Sequence, residues 1–168
     1  MSEWVASCAF DGSTPNAKVL ESSLAALGLQ VVHRLDAPFA AARALTSPGF
    51  QHRISTTRDD AGFAVVAGHT DPALDAPASE LLAAYRRHHD DCATQLNGNF
   101  GALICDERAR RIVVIRDAIG AIPIYYTNIT GGLACAMRIT PLLAVQAAPR
   151  PNRAALAEFY LGGRYFRG

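Results

Sequence analysis

The sequence predicts a layered α+β domain. The chain has 168 residues, a length typical of one domain, and half of its residues are apolar, enough to form a sizeable core. Its formal net charge is only +1, so it lacks the composition of a disordered protein. The patterns run in the order strand, helix, strands, helix and then a meander of strands. This order indicates α+β or layered α/β packing, because alternating βαβ units are absent from it.

The N-terminal part predicts a strand, a helix and a second strand. Residues 4–10 are the first strand, and a turn leads to Thr14 and Pro15. A capping hydroxyl followed by proline at the first helical position is typical of a helix start. Gly28 is well placed to end this helix, and residues 29–35 form the second strand. The helix is expected to bury four side chains, Val19, Leu20, Leu24 and Leu27.

The middle of the chain predicts a strand pair and a second helix. Residues 36–48 are alanine-rich and tolerate a helix, so their structure stays open. Residues 50–57 and 62–67 form a strand pair around the turn at 58–60. The second helix spans residues 78–89. Its apolar side carries Leu81, Leu82 and Tyr85.

The remaining elements are short. Their ranges are strands at 100–105, 111–115, 122–127 and 133–137, a helix at 141–145, a proline-rich connector at 149–151, and a last helical segment ending at Gly162-Gly163.

Several classes of protein are disfavoured. No apolar run approaches the roughly 20 residues of a membrane-spanning helix, and the acidic start does not match a secretory signal. The near-neutral charge argues against nucleic-acid or anionic-membrane binding. The four cysteines form no C-x-x-C pair and His88-His89 lack zinc-helix spacing, so we expect reduced structural thiols and no metal site. The glycines at 98–101 open a strand, unlike a phosphate-binding loop. These features predict a soluble, cytoplasmic domain.

One segment resembles a known family. The stretches L-N-G-N-F-G-A-L-I-C-D at 96–106 and I-R-D-A-I-G-A-I-P-I-Y-Y at 115–126 resemble class II glutamine amidotransferase domains. The similarity is closest to the asparagine synthetase branch, whose pattern reads roughly L-x-G-x-F-A, then D, then R-D-x-x-G-x-x-P-L-Y-Y. Residues 133–143 take the place of its A-S-E-x-K-A-L stretch, without the acidic residue and the lysine. The resemblance covers about residues 3–166 and is strongest over 95–145.

This resemblance implies a fold and a domain organisation. The expected fold is the N-terminal-nucleophile type, a four-layer αββα sandwich with two antiparallel sheets between helix layers. Residues 1–148 would be the glutaminase-like domain. Residues 149–168, through Tyr165-Phe166, would connect it to an ATP-pyrophosphatase-type synthetase domain, so the chain would be a fragment or one half of a split enzyme.

The resemblance also indicates which residue of this chain aligns with the catalytic cysteine of the family. Active members use an N-terminal cysteine, whose thiolate attacks the glutamine amide while its own α-amine acts as the base. Alignment on Phe10-Asp11 puts Trp4 at that position. Cys8 lies inside the strand and cannot carry a free amine. Ser2 could become N-terminal after methionine removal, but it is displaced by roughly 7 Å along the strand.

The substrate pocket is expected to be vestigial. Arg53 resembles the arginine that pairs with the glutamine carboxylate. Ala67-Gly68 replaces the oxyanion-holding N-G and loses the asparagine amide donor. The aspartate for the glutamine amine falls near Pro77, with Asp75 two residues away. An exposed strand arginine remains an alternative interpretation of Arg53.

Arg116, Asp117 and Gly120 match the R-D-x-x-G of the family pattern. The adjacent charges predict a structural ion pair beside a glycine turn. The alternative is that they face a partner domain.

Three hypotheses follow from these observations. The favoured one is a silent pseudo-glutaminase domain, a scaffold in an ATP-dependent amide- or lactam-forming ligase similar to β-lactam and lasso-peptide macrolactam synthetases. The alternatives are an active amidotransferase supplying ammonia for asparagine synthesis and a stand-alone amino-acid-binding module. ATP and Mg²⁺ would bind only the synthetase domain, which is the expected partner, and this chain would need no cofactor. A homodimer is a further expectation.

Overall fold

The computed structural model describes residues 2–15, 17–146 and 148–162. Its strands are β1 (Ser2–Ala9), β2 (Gln30–Ala37), β3 (Ala40–Thr46), β4 (Ile54–Asp59), β5 (Gly62–Thr70), β6 (Gly98–Asp106), β7 (Arg111–Arg116), β8 (Tyr125–Ile129) and β9 (Gly132–Ala136). Its α-helices are α1 (Lys18–Ala25), α2 (Pro77–His88), α3 (Ile139–Val145) and α4 (Arg153–Gly162).

The strands form two antiparallel sheets. One has the order β2-β3-β1-β9-β8, and the other has the order β4-β5-β6-β7. In the first sheet β1 lies at the centre, where Trp4 pairs with Ala44 of β3 and Val5 with Ala136 of β9. In the second sheet β5 pairs with both β4 and β6. The N-terminal strand is therefore hydrogen-bonded on both edges.

Alternation along the strands builds four layers. Trp4 and Cys8 of β1 point into the core between the sheets, whereas Val5 packs on the opposite face among side chains of α1 and α3. In β5, Val65 faces the core between the sheets and Val66 packs against α2. Helices thus cover the outer face of each sheet, which confirms the predicted αββα sandwich.

Helix α2 agrees with the sequence prediction. Proline stands at its first position, where no intrahelical donor is lost, and Leu81, Leu82 and Tyr85 are buried against the second sheet. The helix begins one residue before the predicted start and ends one residue before the predicted end.

Helix α1 begins later than predicted, so its expected start at Thr14-Pro15 is wrong. It begins at Lys18, and its N-terminus has no side-chain capping bond. Only Leu20 and Leu24 of the predicted apolar stripe are buried. The other two members, Val19 and Leu27, are exposed.

The open segment at 36–48 contains strand β3. All seven residues of β3 are buried, and the strand lies between β1 and β2. Residues 51–53 form a 3₁₀ turn, so β4 starts four residues after the predicted start at 50. Strand β8 begins at Tyr125 because the predicted start at residue 122 belongs to a loop.

The C-terminal helix α4 follows the proline-rich connector, as the sequence predicts. Gly163 and Tyr165-Phe166, which were expected at the end of this segment, lie outside the described residues. Among the helices of the described ranges, none combines the length and apolarity needed to cross a membrane.

Candidate functional site

One cavity of about 480 Å³ lies where the start of β4, the end of β5 and the loop before α2 meet. The three residues that the resemblance implied for a substrate pocket, Arg53, Gly68 and Asp75, all line it. They come from three separate segments of the chain, so the fold and not the sequence spacing brings them together. The volume falls within the range of small-molecule sites.

Gly68 is required where the two central strands approach each other. Its φ is +129°, and a Cβ added there would lie 2.2 Å from the Asn99 carbonyl oxygen and 2.8 Å from Phe100 Cα. The preceding residue, Ala67, is buried in the core between the sheets with Trp4. A methyl group cannot donate a hydrogen bond, so this position provides no side-chain donor for an oxyanion.

Two hydroxyl groups hold the loop that carries Asp75. The Thr70 hydroxyl accepts the Leu74 backbone N–H at 3.1 Å. The Ser55 hydroxyl accepts the Ala78 N–H at 3.3 Å, at the start of α2. Ser55 and Thr70 both line the cavity, so the same side chains that form its wall also fix the loop.

The cavity carries one cationic and one anionic side chain. Arg53 and Asp75 are both exposed, and among the described residues no ion pair joins them. Opposite charges on one concave surface complement a small zwitterion such as an α-amino acid. The exposure of Arg53 is also what the alternative interpretation, a plain surface arginine, requires.

Trp4 lies in the core beside this region. Its side chain is completely buried, and its indole N–H donates to the Gly101 carbonyl oxygen at 2.9 Å. Its backbone N–H donates to Met137 Sδ at 3.3 Å, and the Met137 N–H donates to the Trp4 carbonyl at the same distance. Trp4 is therefore a structural residue that bridges the two sheets.

The other candidate nucleophiles have different environments. The Ser2 hydroxyl lies 2.7 Å from the Phe50 carbonyl, to which it donates, and 3.0 Å from Thr46 Oγ1. Cys8 is buried four residues further along β1 than Trp4, and its thiol lies 3.5 Å from the Leu133 carbonyl. Burial raises the pKa of the Cys8 thiol, with a smaller opposing effect from that hydrogen bond.

The remaining thiols are also buried and protonated. Burial raises the pKa of Cys105 and of Cys135 to about 12 each. Burial, together with the nearby Asp90 carboxylate, raises the pKa of Cys92 as well. Because the thiolate is the reactive form, none of these groups is an activated nucleophile at neutral pH.

The predicted ion pair between Arg116 and Asp117 is wrong. Asp117 is buried and accepts the backbone N–H groups of Ala121 at 2.8 Å and Ile122 at 3.0 Å. Burial disfavours its charged form, but these amides hold the pKa of the carboxyl below its ordinary value. The Arg116 guanidinium instead lies over Gly120, whose φ is +68°, and a Cβ there would be 2.8 Å from Arg116 Cζ. The side chains of Arg116 and Asp117 point apart because the two residues are neighbours at the end of a strand. The Asp117 carboxylate therefore binds the backbone of the loop at 121–122 and not the Arg116 guanidinium.

Some polar cavity residues were not identified from the sequence. His69 and Thr70 follow Gly68 at the end of β5 and line the same wall. Their only signal is their position directly after the Ala67-Gly68 pair. Within the described ranges, no group of three or more histidine, cysteine or acidic side chains could hold a metal ion.

Comparison with known proteins places these features in a family context. A family model described as a glutamine amidotransferase domain matches residues 75–166, more than half of the chain. The chain is also similar to asparagine synthetase (glutamine-hydrolysing) 1 of Bacillus subtilis (strain 168), with 29% identity over 85 residues. That match covers 51% of this chain but only 13% of the synthetase, so the chain corresponds to a small part of that relative.

Proposed function

Because this chain belongs to the glutamine amidotransferase domain family, we propose that it is a catalytically silent member. In this proposal it serves as a scaffold for the synthetase domain of an ATP-dependent amide- or lactam-forming ligase of the asparagine synthetase type. The similarity to a glutamine-hydrolysing asparagine synthetase supports the choice of ligase.

The burial of Trp4 carries the proposal. The indole fills the core between the sheets and donates a hydrogen bond to Gly101 at the position that the resemblance assigns to the nucleophilic cysteine. An indole N–H is only a donor and has no nucleophilic atom. In this proposal a residue that stabilises the sandwich takes the place of the one that would perform the chemistry.

The surroundings provide no substitute for the lost chemistry. The four thiols are buried, and burial raises the pKa of each one. The resemblance aligns Ala67 with the oxyanion-holding asparagine. Loss of one such donor costs on the order of 10²–10³ in rate in a comparable site. A domain that lacks the nucleophile as well could still bind a substrate, but it could not hydrolyse it.

A scaffold role agrees with the packing of the domain. Its core is continuous between the sheets, and its loop at Asp117 is closed by the protein's own backbone. ATP and Mg²⁺ would then bind the synthetase domain, and this domain would contribute surface and rigidity. A synthetase domain, on the same chain or a separate one, is the partner that this function needs.

Retained amino-acid binding is a second candidate function. The observation that favours it is the shared cavity of Arg53 and Asp75, which offers a cation and an anion to one zwitterion. Calorimetric titration with glutamine tests this function. Binding that disappears in Arg53→Ala supports it, whereas no binding, or equal binding in that variant, contradicts it.

Glutamate release tests the main proposal. The purified chain is incubated with glutamine, and glutamate is measured with a coupled dehydrogenase. We expect no release above a buffer control. Release that Ser2→Ala abolishes would establish the active-amidotransferase alternative, in which Ser2 is the nucleophile. Release that Ser2→Ala leaves unchanged would contradict both interpretations.

A further inference from the structure

A second cavity, of about 410 Å³, opens between the sheets at the other end of β1. Ser2 pairs with Thr46 near the first cavity, whereas Cys8 pairs with Ala40 and lines the second. Cys8 follows Ser2 by six positions along an extended strand, so the two residues are about 20 Å apart. The two cavities share no lining residue. The second cavity is therefore a separate feature.

The inner wall of this cavity is apolar and uncharged. Cys8, Cys135 and Leu133 line it, and both cysteines are buried. Burial raises the pKa of both thiols, that of Cys135 to about 12, so they stay protonated and behave as small hydrophobic groups. Ile112 and Ile124 provide the remaining aliphatic surface. This wall suits a hydrocarbon chain.

The mouth of the cavity exposes large apolar side chains to water. Phe10 is 60% exposed, Tyr126 is 75% exposed and Val114 is 40% exposed, and all three line the cavity. Tyr126 pairs with Cys135 of β9 and shares its face of the sheet. A contiguous apolar mouth of this kind is typical of a binding site.

Two arginines with different partners stand at the rim. Arg111 forms a two-point ion pair with Asp90, with nitrogen–oxygen distances of 2.9 and 3.0 Å, so its charge is compensated. Arg110 has its guanidinium carbon 5.5 Å from the centre of the Phe39 ring. Among the described residues no carboxylate pairs with Arg110. The rim therefore presents one uncompensated cation beside an apolar cavity.

We propose that this cavity binds a medium-length aliphatic carboxylate as a free monomer. The hydrocarbon chain lies between the sheets against Leu133 and Val114, and the carboxylate pairs with Arg110. The volume is in the range of ligand sites, and the charge and polarity of the wall and rim match the two ends of such a molecule. This function is independent of glutamine hydrolysis and of the Arg53 cavity.

Calorimetric titration of the full chain with decanoate tests the proposal. We expect saturable binding of one decanoate per chain. Arg110→Asn should weaken it about tenfold or more, because a charge-assisted contact is lost. Asparagine is chosen because Arg110 has a φ of +50°, which asparagine tolerates. Val114→Glu should weaken binding similarly by placing a charge in the cavity.

Matched control variants test whether decanoate binds at this cavity and not elsewhere on the chain. Tyr125→Ala should leave decanoate binding unchanged, because Tyr125 pairs with Ala136 and lies on the other face of β8 from Tyr126. Arg53→Ala should also leave decanoate binding unchanged, because Arg53 lines the other cavity. The result with decanoate is therefore independent of whether the proposed function is correct. If Val114→Glu does not fold, as judged by circular dichroism, Tyr126→Ala takes its place.

Four results would overturn the proposal. They are the absence of saturable binding, equal binding of decanoate by Arg110→Asn, equal affinity for decyltrimethylammonium, and binding to phosphatidylglycerol vesicles in preference to monomeric decanoate. The last result would assign the apolar mouth to a membrane surface.

Discussion

Substitution of Trp4 by phenylalanine tests the structural role of the residue that the family resemblance aligns with the nucleophile. The change keeps an aromatic ring but removes the indole N–H that donates to Gly101 at 2.9 Å. The carbonyl of Gly101 lies in the buried part of β6. The smaller ring also leaves unfilled space between the sheets.

The expected loss of stability follows from these two effects. Loss of the indole hydrogen bond costs about 1 kcal/mol. The cavity left by the smaller ring adds roughly 1–2 kcal/mol, less than the cost of full truncation to alanine. We therefore expect Trp4→Phe to lower the free energy of unfolding by about 2–3 kcal/mol.

Urea unfolding followed by far-ultraviolet circular dichroism measures this loss. Circular dichroism is needed because Trp4 is the single tryptophan of the chain, so fluorescence would lose its probe. Tyr126→Phe, which changes an exposed aromatic side chain, is the control and should stay within about 0.5 kcal/mol of the wild type. A loss below about 1 kcal/mol in Trp4→Phe would refute the view that the indole bridges the sheets.

Three further predictions concern the loop and the thiols. Asp117→Asn should lower stability by about 1–3 kcal/mol at pH 7. The pKa of Asp117 is lowered in the folded state, so its contribution to the free energy of unfolding is complete above about pH 4 and is lost as the pH falls through the folded pKa. Urea unfolding at acidic pH should therefore show a smaller difference in stability between Asp117→Asn and the wild type. Gly120→Ala should cost about 1 kcal/mol or more, and adding Arg116→Ala should restore only the part due to the contact with the guanidinium, as thermal melts would show. Cys105 and Cys135, with pKa values of about 12, should react with a thiol reagent only after urea is added, and rapid labelling of the native chain would contradict their burial.

The sequence predicted the element order well where side chains carry a clear period. Helix α2 has a proline at its start and apolar residues at helical spacing, and in the structure the proline begins the helix and the apolar residues are buried. The alanine-rich segment of β3 could not be assigned because alanine tolerates both helix and strand. Its burial comes from β1 and β2 on either side, which no local pattern records.

The start of α1 lies four residues after Thr14, the residue predicted to cap it. The Asp11 carboxylate accepts the Ser13 N–H at 2.9 Å, so the expected turn after β1 is present before Thr14. Helix α1 then begins without a side-chain cap at Lys18. A threonine followed by proline is thus not sufficient to start a helix at this point of the chain.

The candidate site was predictable only through the family resemblance. Arg53, Gly68 and Asp75 are far apart in sequence and show no common pattern, yet they line one cavity. His69 and Thr70 gave no signal beyond their neighbours. The second cavity also escaped prediction, because its aromatic mouth and arginine rim are assembled from several strands.

Covalent trapping tests the absence of a nucleophile most directly. The purified chain is incubated with a chloroketone analogue of glutamine, and its intact mass is measured before and after incubation. We expect an unchanged mass, since Trp4 has no nucleophilic atom and the four thiols are buried and protonated. An adduct of one analogue per chain, mapped to Ser2 or to any residue of the Arg53 cavity, would contradict the claim that this glutaminase domain is silent.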